Sequence, residues 1–119
     1  MKVAVSSEGK TLDSKIDQRF ARAAYFIFVD SETGEFEVHD TSGPMNAAHG
    51  AGPQAASLLA DKGVEVVITG HCGPNAFRAL NAAGIKVVTA TAGTVSEVLE
   101  KFKSGELKPA SNPDVKGHW

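Results

Sequence analysis

The residues best suited to metal chemistry in this sequence lie in one short segment, Gly70-His71-Cys72-Gly73. It places an imidazole beside the chain's single thiol, and both groups are ligands for copper(I), zinc, iron or a sulfide-bearing cluster. No CxxC motif accompanies the pair, which falls short of the ligand set that closes a structural zinc site. Two roles therefore fit Cys72: a metal ligand, or a small buried hydrophobic residue.

A second group of candidate ligands precedes this segment in the chain. Met45 and His49 lie in the glycine-rich stretch TSGPMNAAHGAG, residues 41–52, which has no hydrophobic periodicity. A connection of this length without secondary structure is often a binding loop. In the topology predicted below, it lies at the same sheet edge as His71 and Cys72, so that its Met and His side chains line the same site.

Two glycine–proline pairs open predicted helices, Gly52-Pro53 and Gly73-Pro74. The first turn of a helix presents backbone N–H groups, which favour anions such as phosphates, carboxylates or an anionic metal–sulfur cluster. Arg19 and Arg22 offer positive charge for the same site. Neither turn matches a P-loop, and no GxGxxG motif is present. The pattern predicts an anion site without specifying a nucleotide.

Composition limits the class of protein. With 119 residues, 42% of them hydrophobic, the chain is expected to form one globular domain. A net charge of −2 provides no general attraction to polyanions, so nucleic acid is not an expected partner. One cysteine cannot form an internal disulfide. No apolar run approaches the roughly 20 residues that span a bilayer, and the N-terminus does not resemble a signal peptide, so a cytoplasmic protein without a membrane partner is expected.

Periodicity and turn residues predict the elements that must position these groups. Five strands are predicted: Met1–Ser6, Tyr25–Asp30, Phe36–Asp40, Val64–Thr69 and Ile85–Thr89. Three helices are predicted to begin at Pro53, at Pro74 and after Thr94. Each of these helices is predicted to end at a glycine: Gly63, Gly84 and Gly105. Thr94 and Glu97 fit a capping box. Asp17–Ala24 is expected to form a single turn, and the third strand is expected at the sheet edge with one wet face.

The resulting order is β-β-β-α-β-α-β-α. Right-handed crossovers make the strands of the βαβαβ part parallel, and the hairpin around Gly34 makes the second strand antiparallel to its neighbours. An α/β fold with a five-stranded mixed sheet flanked by helices follows, and this order of elements is that of the ribonuclease H-like fold. The domain is expected over residues 1–105, with residues 106–119 as a loosely ordered tail.

The ribonuclease H-like topology raises the possibility of a nuclease, and the carboxylates argue against it. A two-metal nuclease needs several carboxylates that converge on Mg²⁺. The first strand contains none, and the fourth has only Glu65, near its start. Four aspartates lie in turns or at strand ends, where they are expected to be solvated or to cap backbone N–H groups: Asp13, Asp17, Asp30 and Asp40.

The segment Asp17–Ala23, DQRFARA, resembles the D-x-R-F-G-R-A segment of the dinitrogenase iron–molybdenum cofactor biosynthesis family, which includes NifX-like proteins and the C-terminal domain of NifB. The family's G-x-G, I-T-G, G-P-N-A and A-G-I segments are matched, in the same order, by Gly50–Gly52, Ile68–Gly70, Gly73–Ala76 and Ala83–Ile85. The resemblance covers nearly all of residues 1–104. Ala21 departs from the family's usual glycine, so the shape of that turn is not carried over.

The resemblance implies a ribonuclease H-like fold and non-catalytic binding or carriage of an anionic metal–sulfur cluster. The implied cluster is a molybdenum–copper sulfide cluster or an iron–molybdenum cofactor precursor, placed at the carboxyl edge of the sheet. The candidate binding residues are Arg19, Arg22, Met45, His49, Gly52, His71, Cys72, Gly73 and Asn75. Among them, His71, Cys72 and His49 are the candidate metal ligands.

Two other functions stay open on the sequence. One is an interaction or regulatory domain that binds another cytoplasmic protein, with any metal incidental. The other is an enzyme acting on a small anionic substrate through Cys72 and a histidine, although no motif joins a nucleophile, a base and an orienting group.

Overall fold

A computed structural model describes residues 1–20, 23–40, 51–90 and 92–107, and of residues 51–54 it describes the main chain. This part of the chain contains the predicted order of elements. The elements are β1 (Lys2–Ser7), β2 (Tyr25–Asp30), β3 (Phe36–Asp40), α1 (Ala51–Asp61), β4 (Val66–Thr69), α2 (Pro74–Ala82), β5 (Lys86–Thr89) and α3 (Val95–Lys103). The boundaries of β1, β4 and β5 differ from the predicted ones by one or two residues. Strand ends commonly differ this much, because the ladder weakens there.

The five strands form one mixed sheet in the order β3-β2-β1-β4-β5. β1, β4 and β5 are parallel, with Val3 paired to Val66 and Val66 to Lys86. β2 is antiparallel to both of its neighbours, β1 and β3. The predicted mixed sheet is confirmed.

The predicted end signals are confirmed, but α1 begins at Ala51, two residues before the predicted start at Pro53. Proline is accommodated within the first turn because the N–H groups there have no intrahelical acceptor. The Thr94 hydroxyl accepts a hydrogen bond from the Glu97 N–H at 3.2 Å, and the Glu97 side chain accepts one from the Thr94 N–H at 3.1 Å. This capping box satisfies two N–H groups at the start of α3. Gly63 and Gly84 follow α1 and α2 with φ of 75° and 78°, a conformation that costs other residues more than glycine.

Two apolar layers cover the two faces of the sheet. On one face, α1 and α2 pack against the sheet through buried residues including Leu59, Phe77 and Leu80. On the other face, α3 packs through Val95, Val98 and Leu99. Burying a large aliphatic or aromatic side chain contributes about 1.5–3 kcal/mol, so these layers supply the main favourable term in folding.

Two local expectations were wrong. Phe36 and Val38, on the face of β3 that was expected to be buried, are 46% and 37% exposed. Both faces of β3 are therefore accessible to solvent. The cause is its place at the sheet edge, on the far side of β2 from β1. Residues 17–20 do not form a helical turn, because the main chain there runs alongside the segment after β4, where Arg19 forms a parallel bridge with His71.

The predicted tail lies outside the described residues from position 108 onward, whereas Leu107 packs against the α3 layer.

Candidate functional site

The candidate site lies at the edge of the sheet where most strands end. β1, β3, β4 and β5 run in the same direction, so their carboxyl ends meet at one edge. α1 leads into the start of β4 at the opposite edge, so α1 begins at this one, and α2 begins here directly after β4. Two helix starts and the segment 70–73 therefore share one edge, which is where ligands bind in open α/β sheets.

The segment 17–20 lies directly against the segment 70–73. Arg19 forms a parallel bridge with His71, and the Phe20 N–H donates to the His71 carbonyl oxygen at 3.2 Å. A Cβ atom on Gly70 would lie 2.6 Å from the Cα atom of Gln18, closer than real contacts permit. Glycine at position 70 is therefore required for the two segments to approach this closely.

A buried carboxylate anchors the segment that contains Arg19. Asp17 is 4% exposed. Its Oδ1 accepts from the Arg19 N–H at 3.0 Å and its Oδ2 from the Ala24 N–H at 3.2 Å, so one side chain fixes both ends of the segment. The Arg19 Nε also lies 3.5 Å from Asp17 Oδ1, while the Arg19 side chain is 51% exposed. The exposed ion pair adds at most about 1 kcal/mol, but it sets the direction of the guanidinium.

Hydroxyl groups join this anchor to the strands. The Asp17 N–H donates to the Ser6 carbonyl oxygen at 2.8 Å, and the Ser6 hydroxyl donates to the Asp17 carbonyl oxygen at 2.7 Å. Ser6 Oγ is also hydrogen-bonded to Thr69 Oγ1 at 2.8 Å. Ser6 and Thr69 are fully buried at the ends of β1 and β4. The Arg19 segment is consequently part of the rigid sheet edge.

The two predicted ligands of the segment 70–73 have different environments. His71 is half-buried, on the strip that pairs with Arg19. Cys72 is 1% exposed and belongs to the apolar layer under α1 and α2, together with Phe20. Its thiol lies 3.9 Å from the Gly73 carbonyl oxygen. Of the two, only His71 reaches the surface of the site.

The start of α2 provides the backbone N–H groups expected there. Gly73 is the N-cap residue, Pro74 follows at the first helical positions, and no side chain caps the helix. Asn75 is exposed in this first turn. The first N–H groups of a helix have no intrahelical acceptor, so this turn can bind an anion.

Three predicted site residues, Arg22, Met45 and His49, lie outside the described residues. Gly52 lies in the first turn of α1, at the same edge as the start of α2. Within the ranges that the structure describes, no three His, Cys, Asp or Glu side chains could together hold a metal ion. The described site offers a guanidinium, an imidazole and a helix start.

Sequence reasoning did not assign Asp17, Gln18, Ser6, Thr69 or Gly70 to the site. Asp17 caps N–H groups, as expected for a carboxylate in a turn, but from a buried position. The available signal was its place two residues before Arg19. The Ser6–Thr69 contact carried no such signal, because it joins residues 63 positions apart.

Comparisons with known proteins relate the whole fold to others. Residues 1–105 match the family model described as dinitrogenase iron-molybdenum cofactor. The chain is 42% identical to the orange protein of Desulfovibrio gigas, whose apo structure superposes with a TM-score of 0.92 over 96% of both chains. A NifB-like protein from Thermotoga is 44% identical, with a TM-score of 0.79 over 91% of both chains. An uncharacterised protein of Methanocaldococcus jannaschii is 30% identical over 91% of this chain and 90% of its own.

Proposed function

The chain belongs to the dinitrogenase iron-molybdenum cofactor family, and on that premise we propose that it binds and carries an anionic metal–sulfur cluster, without catalysing a reaction. The cluster is cargo at the carboxyl edge of the sheet, between the starts of α1 and α2 and the Arg19 segment. Family membership and the likeness to the orange protein support cluster binding as the class of function.

The observation that carries this proposal is the pairing of Arg19 with His71. It brings the main chain of Arg19, whose side chain is half-exposed, against the segment that leads into α2, and the N–H groups at the start of α2 lack a side-chain cap. The guanidinium and these N–H groups both stabilise negative charge, and Asp17 fixes the main chain of Arg19 before a ligand arrives. Ordering this main chain in advance lowers the entropy cost of binding.

The donors in the described part of the site suit an anionic cluster better than a bare cation. A cation site would need several carboxylate, thiolate or imidazole ligands together, and no such group is found among the described residues. A cluster that brings its own sulfide ligands needs charge compensation and hydrogen bonds from the protein instead. Arg19, the first turn of α2 and the His71 imidazole supply these.

Within this proposal, His71 is the metal-facing side chain of the described residues, and His49, Met45 and Arg22 are the further binding residues. Cys72 supports the site from the core, because a thiol that is 1% exposed cannot reach a surface-bound cluster without repacking its layer. The cluster is a molybdenum–copper sulfide or an iron–molybdenum cofactor precursor.

Four further expectations stay predictions: the ribonuclease H-like class, one domain over residues 1–105, a cytoplasmic location, and the lack of a nucleic-acid partner. The strand order β3-β2-β1-β4-β5 with β2 antiparallel supports the first. None of the helices among the described residues has the length and apolar character to cross a bilayer.

The proposal is tested by loading. Protein purified anaerobically without a His-tag column is incubated with tetrathiomolybdate and copper(I), desalted, and measured for visible absorption and bound metal. Wild-type protein is expected to retain molybdenum and copper together and to gain a visible band. Arg19→Ala is expected to retain several-fold less, whereas Lys101→Ala, which removes an exposed cation on α3, is expected to match wild type.

Two outcomes separate the alternatives. If the Cys72→Ala variant folds and loads like wild type, the packing role of the thiol is supported. If the same variant folds correctly but stays colourless after loading, Cys72 is a ligand. If wild-type protein retains no metal and shows no new band, cluster carriage is wrong, and the interaction-domain function replaces it.

A further inference from the structure

The edge strand β3 exposes an apolar surface. Phe36 and Val38 are 46% and 37% exposed, and with Met1 they are the large apolar side chains exposed in the described part of the chain. Both lie on the same face of β3, opposite Val29 and Ile27 of β2. A sheet edge with exposed apolar side chains is a template for pairing with another strand.

The backbone of β3 is oriented for such pairing. The Asp30 N–H donates to the Glu35 carbonyl oxygen at 2.9 Å, so these two residues form a hydrogen-bonded pair of the antiparallel ladder. Every second pair is of this kind, so Glu37 and His39 also direct their N–H and C=O groups toward β2. The N–H and C=O groups of Phe36 and Val38 consequently point away from the sheet.

We propose that β3 pairs antiparallel with β3 of a second copy of this chain, about a two-fold axis at Val38. In this register Val38 faces Val38 of the second copy, and their outward N–H and C=O groups form a mutual pair of hydrogen bonds. The two sheets then become continuous. The interface is self-complementary, as a two-fold axis requires.

The charges of β3 favour this register over its neighbours. With Val38 at the axis, Glu37 of each copy lies opposite His39 of the other, in the non-hydrogen-bonded positions where side chains are closest. A carboxylate accepts hydrogen bonds, and an imidazole always carries an N–H donor. A shift of the second copy by two residues along β3 in one direction would place Glu37 opposite Glu37. A shift by two residues in the other direction would place His39 opposite His39. Two carboxylates directly opposite each other repel, and two imidazoles opposite each other lack the carboxylate acceptor that Glu37 provides.

Contacts within one chain hold these side chains in place. Lys62 Nζ lies 3.2 Å from Glu37 Oε1, and the His39 ring packs against Phe28 with centroids 6.3 Å apart. The carboxylate has further acceptor sites for the imidazole of the second copy. On the other face, Phe36 packs diagonally against Val38 of the second copy, which removes the exposed apolar surface from water.

The dimer is expected to be weak. Five residues of one strand bury less than the roughly 1,200 Å² of the smallest standard interfaces, so a Kd in the range of about 10 µM to 1 mM is expected. The surface contains none of the proposed cluster-binding residues. Dimerisation is therefore measured on the protein without cluster, and its outcome is independent of the proposed function.

Sedimentation equilibrium tests the interface and its register together. Wild-type protein is expected to dimerise with increasing concentration, whereas Val38→Lys and Val38→Glu each place like charges opposite themselves and should weaken association at least tenfold. Mixed in equal amounts, the two variants should associate at least as well as wild type, because Lys then lies opposite Glu at the axis. Ala60→Lys, an exposed substitution on α1, should dimerise like wild type.

Circular dichroism confirms that each variant is folded. A monomeric wild type at millimolar concentration would overturn the proposal. So would variants that dimerise like wild type, or variants that weaken association without recovery on mixing, because both results place the interface elsewhere or in another register.

Discussion

At the scale of single residues, the site depends on one buried carboxylate and one missing side chain. Asp17 holds the N–H groups of Arg19 and Ala24, and Gly70 leaves room for the main chain of Gln18. These contacts hold the main chain of Arg19 against His71, two residues before the N-cap of α2. The residues that position the site are thus more buried than the residues that face the ligand.

Substituting Asp17→Ala is expected to destabilise the fold by about 1–3 kcal/mol, because the N–H groups of Arg19 and Ala24 lose a charged acceptor. Urea unfolding measures the change. Asp13→Ala, an exposed aspartate in the preceding loop, should change the free energy of unfolding by less than about 0.5 kcal/mol. Equal effects at the two positions would contradict the anchoring role. Asp17→Ala should also lower cluster retention, since Arg19 is no longer fixed.

At the scale of elements, short-range hydrogen bonds define the turns. The β2–β3 hairpin closes with Gly34 at φ 79°. The Gly34 N–H donates to the Asp30 carbonyl oxygen at 2.8 Å. The Asp30 carboxylate accepts from the N–H groups of Glu32 at 2.9 Å and Thr33 at 3.4 Å. These bonds stabilise the ionised carboxylate and align β3 for pairing at the sheet edge.

The same bonds make the hairpin sensitive to acid. The N–H of Glu32, and to a lesser degree that of Thr33, lowers the pKa of Asp30 below its ordinary value of 3.8. A lowered pKa in the folded state contributes stability that is present above the unfolded pKa and is lost as pH falls through the folded value. A carboxyl titration by NMR should give a midpoint below 3.8 for Asp30. A midpoint at or above this value would contradict the capping, and Asp30→Asn should remove this part of the acid sensitivity.

At the scale of the whole molecule, two apolar layers around one sheet make the fold independent of its cargo. The layers contain the largest buried side chains, such as Phe26 and Ile27, one on each face. The proposed cluster site lies at the sheet edge, outside both layers. The protein should therefore fold fully before loading.

Removing metal should leave the fold intact. Thermal unfolding of the apo protein is expected to have the same midpoint with and without a chelator, because the core is packed without metal ligands among the described residues. Loading with cluster should raise the midpoint, since a ligand that binds only the folded state stabilises it by mass action. Calorimetry measures both, and a midpoint that falls with chelator would show a structural metal.

Much of the fold could be predicted from local sequence. The Thr94 capping box, the glycine after each helix and the run of aromatic and β-branched residues in Tyr25–Asp30 are local features, so they are visible in a short window. The order of strands in the sheet, and the pairing of residue 19 with residue 71, depend on contacts between distant segments.

The order of elements, the mixed sheet, the edge at which His71 was expected and the family are all readable from the residues. The pairing of Arg19 with His71, the burial of Cys72 and the exposure of β3 on both faces are known from the fold alone. Propensity and periodicity depend on residues that are close in sequence. Burial and pairing depend on which distant segments come into contact, and a short stretch of sequence does not specify those contacts.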